Sequence, residues 1–426
     1  MKNRFAFCVV AVGLIAGSAS AQTIAITGGK VYTMTGAPIE NGTVLVRDGR
    51  IVQVGANVTV PADARRIDAT GKWVTPGLID AATVLGLVDV GLESGTRDMS
   101  AKGKDGVAAS FNVWEGLNPA NVMFAPARAE GITTVLVAPQ GGLISGQAAV
   151  VDIVDAPVPD MLVRAPAGMV VQLDKGSANL GARGEVTGRL RELLDDARTY
   201  SRRRADYDKA GTREFAARRL DLEALIPVVE GRLPLIVVAD RASDIEAAIR
   251  LAAEFSGVKL VIARASEAWK VADKLAAAHV PVMTGAMNNI PGGFDNLGSY
   301  QEAAGVLRRA GVDVILIGDS GISDGEAFNV RNLKQEAGNA VAYGMSWDDA
   351  LRAVTSVPAR VLGISDRYGS LEAGKVANVV VWSGDPFEFS SRVEHVLVRG
   401  VESTAMSRQD MLMQRYRTMP PDFRKP

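Results

Sequence analysis

The sequence predicts an α/β protein, a (β/α)8 TIM-type barrel with a small composite β-sandwich domain. The first observation is that strand and helix patterns alternate from about residue 74 to residue 362. The second is that the strand segments are nearly continuous apolar runs, as expected for strands buried on both faces of a parallel sheet. The third is that short β-rich runs flank this stretch on both sides. We expect the flanking segments to form one sandwich.

Composition is that of an ordinary globular protein. The chain has 426 residues, of which 47% are hydrophobic and 22% charged, and its formal net charge is −1. A chain of this length can bury the core of one large and one small domain. Because it carries no excess of positive charge, we expect no nucleic-acid partner and no attraction to an anionic membrane surface.

Residues 1–21 have the pattern of a cleavable signal peptide. Lys2 and Arg4 form a short basic region, an apolar run covers residues 5–15, and residues 19–21 (Ala-Ser-Ala) fit a cleavage site. The apolar run is shorter than the ~20 residues that a membrane span needs. Cleavage would also remove Cys8, the only cysteine, which suits an oxidising compartment. The sequence therefore predicts a periplasmic protein with no membrane segment after cleavage.

Residues 22–73 are expected to form the first part of the sandwich. Their β-rich runs are separated by turn residues such as Asn41-Gly42 and Asp48-Gly49, and the second pair is a strong hairpin signal. A second β-rich part is expected over residues 364–405, followed by a polar tail over 406–426.

The barrel is expected over residues 74–363. Its helical segments show apolar positions at helical spacing, for example at Ile245, Ala248 and Ile249. The predicted strands are residues 78–81, 133–138, 148–154, 168–173, 235–239, 259–263, 280–284 and 312–318.

Four stretches resemble the metal-dependent amidohydrolase superfamily, and most closely its imidazolonepropionase-like members. Residues 76–80 (PGLID) resemble the entry to the first barrel strand of these enzymes. Residues 235–242 and 310–319 resemble their fifth and eighth strands, and residues 369–378 resemble the return to the sandwich, with Asn378 where the family usually has Asp. The resemblance implies this barrel fold and a hydrolase of non-peptide carbon–nitrogen bonds.

The family's chemistry depends on a bound metal. A zinc-bound water has a pKa near 7 instead of about 15.7, which supplies hydroxide at neutral pH. The resemblance places metal ligands after strand one, on strands four, five and six, and an aspartate base after strand eight. In this chain only Asp319, at the position of the base, matches. The other positions hold Ala82, Val84, Val170, Val238 and Arg264.

The histidine count limits any replacement metal site. The chain has two histidines, His279 before the predicted seventh strand and His395 in the second β part. Neither is expected at the C-terminal face of the barrel, where the chemistry of such barrels takes place. We therefore expect no zinc site built from imidazoles, and no bound cofactor.

Carboxylates near the predicted strand ends leave two alternatives open. They either converge to hold Mg²⁺ or Ca²⁺, or they cap helices and pair with Arg241, Arg264 and Lys175. These carboxylates belong to Asp80, Asp174, Asp240, Glu267, Asp319 and Asp324. Candidate small-molecule contacts are Arg264, Asn288, Asn289 and Gln147, which lie on or beside loops expected at the barrel mouth.

Two hypotheses of function follow from these residues. In the first, the chain is an exported amidohydrolase relative that has lost its metal centre and serves as a small-molecule binder or as the inactive subunit beside an active relative. In the second, it is an active hydrolase with a carboxylate-held divalent metal and Asp319 as general base. Either way, we expect a homo-oligomer or a hetero-oligomer.

Overall fold

The computed structural model describes residues 23–173, 181–287, 289–318, 327–403 and 406–417. The predicted signal peptide, Asp174, Lys175, Asn288, Asp319 and Asp324 lie outside these residues. In the described part, no helix is both long enough and apolar enough to cross a membrane.

Sixteen strands and twelve α-helices are described. The strands are β1 (Ile24–Val31), β2 (Ile39–Arg47), β3 (Arg50–Gly55), β4 (Arg65–Asp68), β5 (Trp73–Pro76), β6 (Leu78–Thr83), β7 (Ile132–Val137), β8 (Ile144–Asp152), β9 (Leu162–Gln172), β10 (Leu235–Ala239), β11 (Leu260–Arg264), β12 (Val282–Thr284), β13 (Val314–Leu316), β14 (Val379–Trp382), β15 (Val393–Val398) and β16 (Val401–Glu402). The helices are α1 (Phe124–Ala129), α2 (Val158–Met161), α3 (Arg183–Arg202), α4 (Arg204–Asp208), α5 (Arg219–Val229), α6 (Ala242–Glu254), α7 (Ala272–Ala277), α8 (Ala303–Arg309), α9 (Leu333–Ala342), α10 (Trp347–Ala353), α11 (Ser356–Val361) and α12 (Arg408–Tyr416).

The predicted barrel is confirmed as an eight-stranded sheet whose strands follow one another in chain order from β6 to β13. Each predicted strand segment overlaps one of these strands. Apolar side chains from all eight strands fill the interior, and α11 with the segment after it closes the N-terminal end of this core. The barrel is therefore a packed core, as such barrels generally are.

One barrel strand runs against the predicted direction. β8 pairs antiparallel with both β7 and β9, whereas the other pairs in this sheet are parallel. The connection from β7 to β8 consists of residues 138–143, which is shorter than the dozen or so residues that a parallel crossover needs. β8 therefore begins at the C-terminal face of the barrel and ends at the N-terminal face.

The composite β domain is likewise confirmed, and it forms one eight-stranded sheet. C-terminal strand β14 pairs antiparallel with β5, and β5 pairs with β1, so strands from both ends of the chain are joined. Apolar side chains of both parts share one core. The expected boundary between residues 73 and 74 falls inside β5, so the sheet of the β domain extends to Pro76 and the barrel begins with β6.

A buried polar cluster joins this β domain to the barrel. It is centred on Asp152, at the end of β8, whose side chain has no exposed surface. Its carboxylate accepts hydrogen bonds from Thr134, Tyr368, Asn378 and Arg399, at 2.8, 2.8, 3.1 and 2.6 Å. Because a buried carboxylate is costly unless its lone pairs are satisfied, these donors hold the two domains in one arrangement.

Candidate functional site

The C-terminal ends of the strands form the mouth of the barrel, and Asp80 marks the edge where β6 meets β13. Its carboxylate is fully buried and accepts the N–H groups of Ala82 and Gly318, each at 3.0 Å. A Cβ at Gly318 would lie 2.8 Å from Oδ2 of Asp80, so this close approach depends on glycine. Asp80 thereby links the first strand of the barrel to the end of the eighth.

Asp240 and Arg264 form an ion pair at the ends of the fifth and sixth strands. Nη2 of Arg264 donates to Oδ2 of Asp240 at 2.6 Å, and Oγ of Ser266 donates to Oδ1 at 2.7 Å. Asp240 is 4% exposed and the Arg264 side chain 33% exposed. Of the two alternatives for the carboxylates, this pair agrees with the one in which they pair with arginine.

The backbone at Arg264 is unusual. Arg264 and Ala265 are consecutive residues with φ of +68° and +58°, in the left-handed region that non-glycine residues seldom occupy. Such conformations cost about 1–3 kcal/mol each and persist only where surrounding contacts enforce them. The Asp240 carboxylate supplies such contacts, because it binds both the side chain of Arg264 and that of Ser266.

Glu267 connects three loops of the mouth. Its carboxylate accepts the N–H of Ala242 at 3.1 Å and of Gly298 at 2.9 Å, and it forms an ion pair with Lys270 at 2.8 Å. Burial alone would raise the pKa of Glu267, but the hydrogen bonds from Lys270, Ala242 and Gly298 outweigh it and hold the pKa below its ordinary value. The ionised carboxylate therefore fixes the loops after β10, β11 and β12 to one another.

Glu336, on α9, anchors the start of the loop after β12. It is 1% exposed, and one of its oxygens accepts the N–H groups of Ala286 and Met287. Glu336 was not among the residues predicted for the site. In the sequence, Glu336 is a lone acidic residue among positions of α9 that are otherwise expected to be buried. A search for apolar residues at helical spacing does not detect such a residue.

The positions where the resemblance places metal ligands on the first, fourth and fifth strands carry aliphatic side chains in apolar surroundings. Val170 and Val238 belong to the barrel interior, and Ala82 packs against the same cluster. Val84 is 2% exposed and belongs to the core around the barrel. None of these side chains has a donor atom for a metal.

The other predicted ligand contacts form hydrogen bonds within the protein. The Gln147 side chain, near the start of β8, donates to the carbonyl of Ala109 at 3.0 Å and so holds the long segment after β6. Asn289 is buried and donates to the carbonyl of Gly285 at 2.9 Å, which folds the loop after β12 on itself. Asn288 lies outside the described residues. Of the four predicted ligand contacts, Arg264 is the one whose side chain is charged.

The described residues at the mouth do not fit the family's metal. A guanidinium has donors only and stays protonated in proteins, so Arg264 cannot ligate a cation. Its bond to Asp240 also occupies that carboxylate. Within the described ranges, no three His, Cys, Asp or Glu side chains are grouped as metal ligands would be. Asp319, the predicted base, lies outside those ranges.

The two histidines lie away from the mouth. His279 follows α7 and precedes β12, at the N-terminal face of the barrel. His395 is in β15, where its Nδ1 is 2.6 Å from Glu402.

Comparison with known proteins assigns the family. The sequence model of the Amidohydrolase family matches residues 244–403. An amidohydrolase from Thermotoga maritima MSB8, whose structure has been solved, is 30% identical and superposes with a TM-score of 0.81, covering 90% of this chain and all of that one. The chain belongs to the amidohydrolase family.

Curated relatives are more distant. An imidazolonepropionase of Mesorhizobium japonicum is 26% identical over 375 residues, which cover 81% of this chain and 87% of that protein. Amidohydrolase tasK of Hapsidospora irregularis is 24% identical over 392 residues, covering 84% of this chain. The chain spans about two-fifths of the length of tasK, since the match covers 39% of it. The first of these relatives supports the similarity to imidazolonepropionases.

Proposed function

We propose that this chain is an amidohydrolase-family protein that does not carry out metal-dependent hydrolysis and that binds a small anionic molecule at the barrel mouth. The observation that carries the proposal is the Arg264–Asp240 pair. It supplies a fixed guanidinium at the end of strand six, where the family has a histidine ligand.

A partly exposed guanidinium in this place favours an anionic ligand. About a third of the Arg264 side chain is exposed, although Asp240 beneath it is buried. A planar guanidinium has five N–H donors and matches a carboxylate in geometry. The name imidazolonepropionase denotes action on an imidazolone ring that carries a propionate. Cyclic amides with a carboxylate side chain are therefore the first ligands to try.

A thermal-shift titration tests the binding. A ligand at 100 times its Kd stabilises the folded protein by about 2.7 kcal/mol, so a carboxylate-bearing cyclic amide should raise Tm measurably. Arg264→Gln should abolish that rise. Arg191→Gln is the matched control, since Arg191 is an exposed, ion-paired arginine on α3, outside the mouth. An undiminished rise in Arg264→Gln would show that Arg264 does not bind the ligand.

An activity assay separates this proposal from the active-hydrolase alternative. The protein is supplied with Zn²⁺, Mn²⁺ or Mg²⁺ and a panel of cyclic amides, next to Asp319→Asn. We expect no turnover in either protein. Turnover that Asp319→Asn abolishes would establish a carboxylate-held metal with Asp319 as base, and would refute the loss of hydrolysis.

Export and assembly complete the proposal. The pattern of residues 1–21 favours a periplasmic location, which cell fractionation with a cleavage-site variant, Ala21→Leu, checks. Retention of the native protein in the cytoplasm would contradict export.

As an inactive partner subunit, the chain should co-purify with an active relative from its native cells. Light scattering then distinguishes such a hetero-oligomer from a homo-oligomer.

A further inference from the structure

A cavity lies at the opposite end of the barrel from the mouth. Its volume is about 790 Å³, and it opens between the starts of β10, β11, β12 and β13, the C-terminal half of α6 and the end of α11. This volume is within the range of about 300–1,000 Å³ that is usual for small-molecule sites. The proposed function does not involve this cavity.

Positive charge dominates the polar side chains of this cavity. The cationic lining residues are Arg164, Arg232, Lys259 and Arg360, whereas Asp313 is the acidic one. Arg360 is neutralised by Asp313, with two contacts of 2.9 Å, and Arg232 pairs with Glu230 beside the cavity.

Within the described residues, two of these cations have no carboxylate partner. Nη1 of Arg164 donates to the backbone carbonyls of Leu362 and Gly363, each at 3.0 Å. A Cβ at Gly363 would overlap this guanidinium, so the glycine leaves the space that Arg164 occupies. Lys259 forms no ion pair with any part of the chain that the structure describes. An anion entering the cavity would thus meet two positive charges that no carboxylate of the described residues neutralises.

His279, at the rim, has a strained backbone. It follows the last turn of α7 with φ of +51°, and the N–H of Val280 bonds back to the carbonyl of Leu275 at 2.9 Å. Glycine is the usual residue at this place after a helix, because it has no Cβ to clash. A histidine here lowers stability and brings an imidazole to the cavity.

We propose that this cavity binds a small organic anion, a carboxylate or a phosphate attached to an apolar body. Lys259, Arg164 and His279 would hold the anionic group. The apolar body would lie against aliphatic lining residues, among them Ile249, Val258 and Pro281.

Isothermal titration of the mature protein tests the site with three probes, inorganic phosphate, phenyl phosphate and phenylacetate. We expect phenyl phosphate or phenylacetate to bind with a Kd below 1 mM, at least tenfold tighter than inorganic phosphate, and the stronger of the two identifies the anionic group. Raising NaCl from 50 to 500 mM should weaken binding, because exposed charges are screened. Failure of all three probes to bind at 10 mM would overturn the proposal.

Variants then assign the binding to this cavity. Lys259→Gln should raise the Kd at least fivefold, whereas Lys209→Gln, an exposed lysine elsewhere, should leave it unchanged. His279→Gly should weaken binding and raise Tm by roughly 1–2 °C, since it relieves the strained backbone. A purely structural histidine would give the rise in Tm without a change in Kd. Binding that Arg264→Gln abolishes would belong to the mouth and would refute this site.

Discussion

Two Asp–Arg pairs lie at opposite ends of the barrel with nearly the same local geometry. Asp240–Arg264 at the mouth and Asp152–Arg399 at the domain junction both have a shortest N–O distance of 2.6 Å, and both arginines are 33% exposed. The pairs differ in where their other contacts originate. Asp240 is bound by residues 24 and 26 positions away, whereas three donors to Asp152 are 216, 226 and 247 positions away.

The comparison shows that the same ion pair has different consequences in different surroundings. At the junction, the neutral donors Thr134, Tyr368 and Asn378 complete the shell of Asp152, so the pair stabilises the arrangement of two domains. At the mouth, the pair shapes one short loop and leaves a guanidinium partly open to solvent. We therefore expect the junction to govern stability and the mouth to govern binding.

The largest expected effect separates the two pairs directly. Asp152→Ala should lower the free energy of unfolding by about 4 kcal/mol, because it removes the only carboxylate that Arg399 contacts among the described residues and an acceptor of three further donors. Asp240→Ala should cost about 1–2 kcal/mol, since its donors lie at the solvent-accessible mouth. Urea denaturation measures both values. Equal costs would contradict the proposed division between stability and binding.

The junction also explains the departure from the family at residue 378. Nδ2 of Asn378 donates to Asp152 at 3.1 Å, and Oδ1 accepts the N–H of Arg399 at 2.7 Å. Asn378→Asp would place a second carboxylate against Asp152, so we expect a loss of about 2 kcal/mol at pH 8. The double variant Asn378→Asp with Asp152→Asn should recover part of the loss. Additive losses in this double-mutant cycle would show that the two side chains do not interact.

The raised pKa of Tyr368 leads us to expect that the junction loses stability at alkaline pH. Burial, together with the charge of Asp152 and the hydrogen bond to it, raises the pKa of Tyr368. A group with a raised pKa contributes stability below its unfolded pKa of about 10 and loses it as the pH rises further, by up to about 1.4 kcal/mol per pH unit. Tyr368→Phe should therefore reduce the decline of stability above pH 10, and should cost about 1 kcal/mol at pH 7.

Tyr416→Phe is the control for this measurement, because Tyr416 is exposed on α12. The native protein and Tyr368→Phe are compared by urea denaturation at pH 7, 9, 10 and 11. Parallel pH profiles for these two proteins would show that Tyr368 does not titrate with folding.

At the mouth, we expect a smaller effect on stability at acid pH, from the ionisation of Glu267. Its pKa is held below the ordinary value, so its contribution is present above pH ~4.5 and is lost as the pH falls below it. Glu267→Gln should cost about 1 kcal/mol at pH 7 and less at pH 3. Glu214→Gln, at an exposed residue, should cost little at either pH. A cost of Glu267→Gln that is the same at both pH values would contradict this account.

The barrel could be predicted from sequence because its signal is local. Apolar runs and helical spacing mark each strand and helix, and eight strand segments were found in this way. The reversed direction of β8 carried a local signal too, the short connection with Gly141-Gly142, which is long enough only for an antiparallel turn. The expectation of uniformly parallel strands came from the fold class and overrode that signal.

The polar contacts were harder to predict, for a physical reason. Asp240 and Arg264 are close in sequence and end neighbouring strands, so their pairing was among the alternatives. The donors to Asp152 come from segments that are distant in sequence. No periodic pattern in the sequence indicates which of these side chains contact one another. Glu336 was missed for the same reason, since its partners follow β12.

The metal content of the protein after incubation with divalent metals tests the central claim most directly. The tag-free mature protein is incubated with Zn²⁺, Mn²⁺ or Mg²⁺, desalted, and its metal content is measured by mass spectrometry next to that of Asp319→Asn. The account predicts less than about 0.1 tightly held ion per chain in both proteins, because Arg264 and the aliphatic side chains offer no ligands. One or two ions per chain, lost in Asp319→Asn, would contradict it and would restore a metal centre to the barrel mouth.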